Sequence, residues 1–145
     1  MKKIGFIIFL NIIACISVYS QVIPDSVKFR LLEPYDFHLQ YLRTDPALLV
    51  DVREFFEYRG RRIREAVNIP SSGNLDFAAD TIDKECALFL YCTSGFRSNR
   101  VARFFYDKGF RKLYSLDGGI TRWKKEGMEV VKRTKRRREE VTLVS

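Results

Sequence analysis

An α/β domain with a largely parallel sheet is the fold class the sequence predicts, and three observations carry it. From residue 34 onward, short apolar runs alternate with helix-length amphipathic stretches, the order expected of strand–helix–strand units. One run, A-L-F-L-Y at 87–91, has no charge on either face, as a strand must when helices cover both sides of its sheet. The chain has 145 residues, 46% of them apolar and 30% charged, which suits one globular core and excludes disorder throughout.

The elements follow in order. Residues 34–42 (P-Y-D-F-H-L-Q-Y-L) read as a first helix, 47–52 (A-L-L-V-D-V) as a buried strand, and 54–58 as one or two helical turns ended near Gly60. Residues 66–69 form a second, short strand before Pro70. The stretch 71–83 is polar at its ends with Leu75, Phe77, Ala78 and Ala79 inside, which predicts a short helix. Residues 87–91 are the central strand, ending at Cys92. A helix over 98–108 has Val101, Phe104 and Phe105 at i, i+3 and i+4, a lysine at its end and Gly109 as its stop. Residues 112–116 make a fourth strand, and 119–125 a last helix closed by Gly127. No repeat or low-complexity tract interrupts the series.

Charge is unevenly placed. The formal total is +8, but Lys2 and Lys3 supply +2 and residues 132–145 supply +4, leaving +2 for residues 21–131. The body is close to neutral, so the excess is not read as a nucleic-acid footprint. The run K-R-T-K-R-R-R at 132–138 is a solvated tail by default, and the alternative is weak contact with an anionic membrane or an acidic partner.

Residues 1–20 read as a secretion signal: a cationic start, an apolar run shorter than the ~20 residues of a spanning helix, and Ser20 before the cut. A lipoprotein variant, I-I-A-C with Cys15 acylated, is the alternative. Either address is outside the cytosol, and periplasmic export is the expectation. The lead-in is then 21–33, the domain 34–131 and the tail 132–145. Beyond this leader the cysteines are Cys86 and Cys92. Six strand steps at about 3.3 Å set them about 20 Å apart, too far for a disulfide. Cys92 is thereby a free thiol.

The chemistry-bearing segment is Cys92-Thr93-Ser94-Gly95-Phe96-Arg97-Ser98, between an apolar strand and an amphipathic helix at the strand's carboxyl end, where open α/β sheets place their sites. A loop turning from strand into helix points its N–H groups inward and cradles an anion, and Gly95 eases the turn. A thiolate there is stabilised by those amides and a nearby guanidinium, so Cys92 is the candidate nucleophile. Arg97 is expected to steer an anion in. The scheme needs an ionised thiol open to solvent and inward-facing amides.

Other chemistries are poorly supplied. His38 is the one histidine, far from Cys92 in sequence, and reads as a helix-surface residue instead of half of a Cys–His dyad. With no C-x-x-C pair the chain offers too few soft ligands for a metal, and it has no phosphate-binding glycine motif. No cofactor is expected. Asp51 and Arg53 stand at the end of another strand. Asp51 with Glu54 matches a helix capping box, and Arg53 suits a neighbouring carboxylate, so both are read as structural support.

The sequence resembles the rhodanese-like (sulfurtransferase) family on four motifs in order: L-L-V-D-V-R-E-F-F-E-Y at 48–58, A-V-N-I-P at 66–70, the loop after L-F-L-Y, and L-D-G-G-I-T-R-W-K-K-E-G at 116–127. The resemblance implies a mostly parallel sheet of about five strands flanked by helices. It also implies a Cys92 that takes a sulfane sulfur from a small anionic donor such as thiosulfate and hands it to a thiol or cyanide acceptor. Residues Thr93, Ser94, Gly95, Phe96, Arg97 and Ser98 would be the cradle. The segment R-G-R-R-I-R-E at 59–65 departs from the family's usual glycine, histidine, isoleucine, proline and glycine, and its arginines are expected to attract anions.

Two rivals accompany this reading. Phosphatases and arsenate reductases of related fold use a loop one residue longer; here four residues separate Cys92 from Arg97. A non-catalytic binding or sulfur-carrier module is the other. The sequence assigns no oligomeric state.

Overall fold

The structure, a computed structural model, describes residues 22–132. Its centre is a five-stranded parallel sheet of order β1-β6-β5-β2-β4. The strands are β1 (Arg30–Leu32), β2 (Ala47–Asp51), β4 (Val67–Asn68), β5 (Ala87–Tyr91) and β6 (Leu113–Leu116). A two-stranded antiparallel ribbon pairs β3 (Arg61–Arg62) with β7 (Val131–Lys132). The helices are α1 (Asp25–Lys28), α2 (Pro34–Leu42), α3 (Phe55–Gly60), α4 (Leu75–Thr81), α5 (Phe96–Asp107) and α6 (Gly119–Lys125).

Strand β5 organises the whole. All five of its residues are buried, and their alternation divides the core in two. Leu88, Leu90 and then Cys92 face a cluster with Val101, Ala102 and Phe105 of α5 and Ala78 and Ala79 of α4. Ala87, Phe89 and Tyr91 face the other, with Phe37 of α2 and Ile120 and Trp123 of α6. Phe89 stacks on Tyr114 at 4.3 Å and meets Phe37 edge-on at 5.3 Å. The period of two thus sends the Cys92 side chain to the α5 face. The sequence-predicted spans of α2, β5 and α6 coincide with those observed.

Differences have local causes. The short helix expected within 71–83 forms at Leu75–Thr81, where Asn74 caps it by accepting the Phe77 N–H at 2.9 Å. Helix α5 begins two residues early, since Gly95 at φ 99° is its cap. Strand β1, helix α1 and the β3–β7 ribbon lie outside the elements expected from sequence. The first is a three-residue edge strand and the ribbon has two residues a side, too few to show a period. The leader with Ser20 and Cys15, and the tail beyond residue 132, lie outside the described residues. Among the described residues no helix is long and apolar enough to cross a membrane.

Candidate active site

The site is built at the carboxyl ends of β5 and β2, which are hydrogen-bonded neighbours. After Tyr91 the chain turns through residues 92–95 and enters α5. Two contacts with the start of α6 fix that turn: the Ile120 N–H donates to the Cys92 carbonyl at 2.9 Å and the Thr121 N–H to the Thr93 carbonyl at 3.1 Å. With its carbonyls held outward, the loop turns its own N–H groups inward. Gly119 makes this approach attainable. Its φ is 58°, and a β-carbon there would lie 2.4 Å from the Cys92 carbonyl oxygen.

The inward groups converge on sulfur. The Gly95 N–H donates to Cys92 Sγ at 3.1 Å and the Ser98 hydroxyl lies 3.8 Å from it. Burial opposes the thiolate and is the largest single influence. The N–H groups of Ser98, Ser94 and Gly95, with the Ser98 hydroxyl, outweigh it and bring the thiol below its ordinary value. A hydroxyl network backs the arrangement, Ser115 Oγ standing 2.9 Å from Ser98 Oγ and 2.7 Å from Asn99 Oδ1. Ser98 and Ser115 are fully buried. Ser115 carries no motif and was invisible in the sequence.

One expectation is corrected. The thiol was expected to be open to solvent, but Cys92 is only 1% exposed, because its side chain faces the apolar cluster between β5 and α5 and lies under the Gly95 N–H. Cys86, half-buried, is also free, so neither thiol is in a disulfide.

Arg97 is a second correction. The cation expected to await an anion is already paired: Nη1 and Nη2 donate to Glu57 Oε2 and Oε1 at 2.8 and 2.9 Å, and Nη2 donates to Thr93 Oγ1 at 2.9 Å. Thr93 in turn donates to Glu57 Oε1 at 2.9 Å. The Arg97 guanidinium holds the Glu57 carboxyl down at about 2, with Thr93 and the Glu54 N–H assisting against burial. Glu57 raises Arg97 in return, and the Cys92 thiolate adds to that by charge and hydrogen bonding. Phe96 points to solvent, 71% exposed, and Ser94 is exposed beside it.

The third correction concerns the helix cap. Residue 54, not 51, precedes α3, and the Glu54 N–H donates to Glu57 Oε2 at 3.1 Å. Asp51 is fully buried and grips Arg53, whose Nε and Nη2 donate to its two oxygens at 2.9 and 2.6 Å. Arg53 Nη2 also donates to the Arg61 carbonyl at 2.6 Å, tying β3 to the rim of β2. Asn68 completes the clamp with Nδ2 donating to the carbonyls of Asp51 and Arg53. Tyr91 lies beneath; its hydroxyl accepts the Ile63 N–H, and burial and the Asp51 carboxylate push its phenol up.

The remaining candidates disperse. His38 is half-buried, edge-on to Trp123 at 5.6 Å, so it is less superficial than its helix pattern implied and is not at the thiol. It helps line a cavity of about 170 Å³ with Phe37, Tyr41, Ile63 and Met128. Of the arginines at 59–65, Arg62 lies 4.9 Å over the Tyr58 ring and Arg64 pairs with Glu129. Among the described residues no cluster of His, Cys, Asp or Glu has the makings of a metal site.

A tRNA uridine(34) hydroxylase of Hamiltonella defensa subsp. Acyrthosiphon pisum is 31% identical over 117 residues, covering 71% of this chain and 33% of that protein. The namesake from Yersinia pestis is 26% identical over 128 residues, 79% of this chain and 36% of its own. The chain therefore spans about a third of the length of the curated relatives it matches. Among solved structures, a rhodanese-related protein from Thermoplasma volcanium superposes with a TM-score of 0.62 at 27% identity, over 70% of this chain and 97% of that one. A thiosulfate sulfurtransferase from Pseudomonas aeruginosa, 19% identical, shares the fold with a TM-score of 0.63 over 78% of this chain and 23% of that one. Residues 36–126, which run from α2 through the cysteine loop to the last helix, match the model of the rhodanese-like domain, and this chain belongs to that family.

Proposed function

We propose that the protein is a sulfurtransferase of the thiosulfate type, working through a persulfide on Cys92. The observation that carries the reading is the convergence of the Ser94, Gly95 and Ser98 N–H groups on a thiol held below its ordinary value. Such a shell stabilises one negative sulfur without a separate base.

The steps balance without an outside oxidant. The Cys92 thiolate attacks the sulfane sulfur of thiosulfate; a sulfur–sulfur bond forms at Sγ as the donor's own breaks, and sulfite leaves with the electron pair. The outer sulfur, now an anion in the cradle, is then attacked by a thiolate or cyanide, and Cys92 departs as thiolate. Gly95 and the α5 start stabilise both sulfur anions. Asp51 and Arg53 act through the backbone, holding the rim beside the loop. Because the thiol is 1% exposed, the cradle's side chains must part for each donor. The proposed setting is the periplasm, with small-molecule donors and acceptors, and no nucleic acid or cofactor is assigned. The hydroxylation named for the longer relatives is not carried to this chain.

A phosphatase of related fold is the weaker reading, since Arg97 is bound to Glu57 and a tetrahedral oxyanion would need that guanidinium. The test is direct. The purified protein should form thiocyanate and sulfite from thiosulfate and cyanide, and Cys92→Ser should abolish both while leaving circular dichroism unchanged. Mass spectrometry should find one extra sulfur, removable by reductant, on the Cys92 peptide. Wild-type turnover at the variant's level would instead favour a binding module, and hydrolysis of an aryl phosphate would favour the phosphatase.

A further inference from the structure

At the mouth of the cysteine loop, a carboxylate from a different strand–helix connection occupies the one cation of the loop. Glu57 lies in α3, 40 residues from Arg97, and meets it in a two-oxygen, two-nitrogen pairing at 2.8 and 2.9 Å. Thr93 closes a triangle by bonding both. The pair is not an incidental surface contact, because the side chains are only 28% and 21% exposed. One further bond fixes Glu57 itself: its Oε2 accepts the Glu54 N–H. An arginine held this way has lost most of its donors and its net charge at the site. Salt bridges at such partial burial are stronger than exposed ones, because solvent screens them less.

On the sulfurtransferase reading above, we propose that Glu57 is a specificity-determining residue that biases the site against strongly anionic sulfur donors. Resting on Arg97, its carboxylate must yield before a dianion can use the guanidinium, whereas a donor of lower charge reaches Cys92 without that exchange. The favoured substrate class is therefore a sulfane-sulfur compound of low negative charge, and thiosulfate is accepted at a high KM. The transfer step itself is unchanged: Cys92 forms a bond to the donor's sulfane sulfur, and the leaving group takes the electron pair. With the carboxyl held at about 2, the discrimination operates at every pH at which the thiol is ionised.

Two donors isolate the effect. Thiosulfate and methanethiosulfonate present the same sulfane sulfur on a sulfonyl centre but differ by one negative charge, and cyanide turns either into thiocyanate. Glu57→Gln keeps the length and an oxygen for the Glu54 N–H while removing the charge. The variant should lower the KM for thiosulfate by about tenfold, with a clearly smaller fall for methanethiosulfonate and kcat within about twofold for both. Equal changes with both donors, or a loss in kcat alone, would make Glu57 a shaper of the loop and overturn the proposal.

A binding measurement separates this from failure of the sulfurtransferase reading. In a Cys92→Ser background, where nothing turns over, adding Glu57→Gln should tighten calorimetric binding of thiosulfate by about tenfold. Unchanged affinity refutes the charge bias whether or not the wild type transfers sulfur. Absence of a Cys92 persulfide with either donor refutes sulfur transfer while leaving the binding result to stand or fall alone.

Discussion

Two carboxylate–arginine pairs sit at the ends of neighbouring strands and do different things. Asp51–Arg53, after β2, is sealed in the protein, with side-chain exposures of 0% and 7%. Glu57–Arg97, after β5, is partly open, with Arg97 and Glu57 at 28% and 21%. The first joins residues two apart in sequence and gives a further Nη2 donor to the Arg61 carbonyl, so its job is to hold backbone. The second spans separate elements and carries its guanidinium on the same loop as the thiol. Burial, not chemistry, separates them. A pair with no water to turn to is permanent, whereas one at a mouth has an alternative partner in any arriving anion.

The largest effect should come from breaking the sealed pair. Arg53→Ala leaves Asp51 charged and buried with no guanidinium, and a loss of about 3–5 kcal/mol in urea unfolding is expected. Adding Asp51→Asn should return part of it, because an amide needs no counter-charge. Additive losses instead would show that the two side chains act independently.

Next comes the backbone that the open pair overlooks. Gly119→Ala brings a β-carbon against the Cys92 carbonyl and requires a left-handed φ, so about 1–3 kcal/mol and a larger share of activity should be lost. An unchanged thiol titration in this variant, followed by iodoacetamide rate against pH, would mean that α6 does not shape the loop.

Acid separates the pairs more gently. Glu57 is held at about 2 in the folded chain against 4.5 unfolded, so its contribution is full above about pH 4.5 and lost as pH falls through about 2. Glu57→Gln should flatten stability against pH in that window; above pH ~5, where the wild-type contribution is full, it should lower stability by a constant amount and leave the slope unchanged. A parallel curve would show that the pairing is worth nothing to the fold. Smallest of all, Arg97→Ala should change stability near neutrality by about 1 kcal/mol or less, as a partly exposed pair allows.

What could be read from the sequence follows the range of the interactions. The uncharged run at 87–91 placed the central strand, and with it the position of Cys92 at the strand's carboxyl end, because both are properties of consecutive residues. Gly95 was read as a turn residue, and it is also the cap that starts α5. Two features escaped. Arg97 was assigned an anion because its partner stands 40 residues away in α3, and nothing in either segment names the other. The cap of α3 was set at Asp51 because D-V-R-E fits a capping box; the buried pairing of Asp51 with Arg53 takes that carboxylate, and Glu54 precedes the helix instead. The β3–β7 ribbon was unreadable for a third reason, since two residues a side carry no periodicity.

The contact between Gly119 and the Cys92 carbonyl gives the loop a late-arriving buttress. A nascent chain presents its cysteine-to-arginine string well before the glycine pair leaves the ribosome. Until that helix docks, the carbonyls of Cys92 and Thr93 lack the two N–H donors that hold them outward. The shape of the loop is therefore completed by residues that follow it by more than twenty positions, and a fragment cut short of residue 118 would carry the cysteine-to-arginine string without that support.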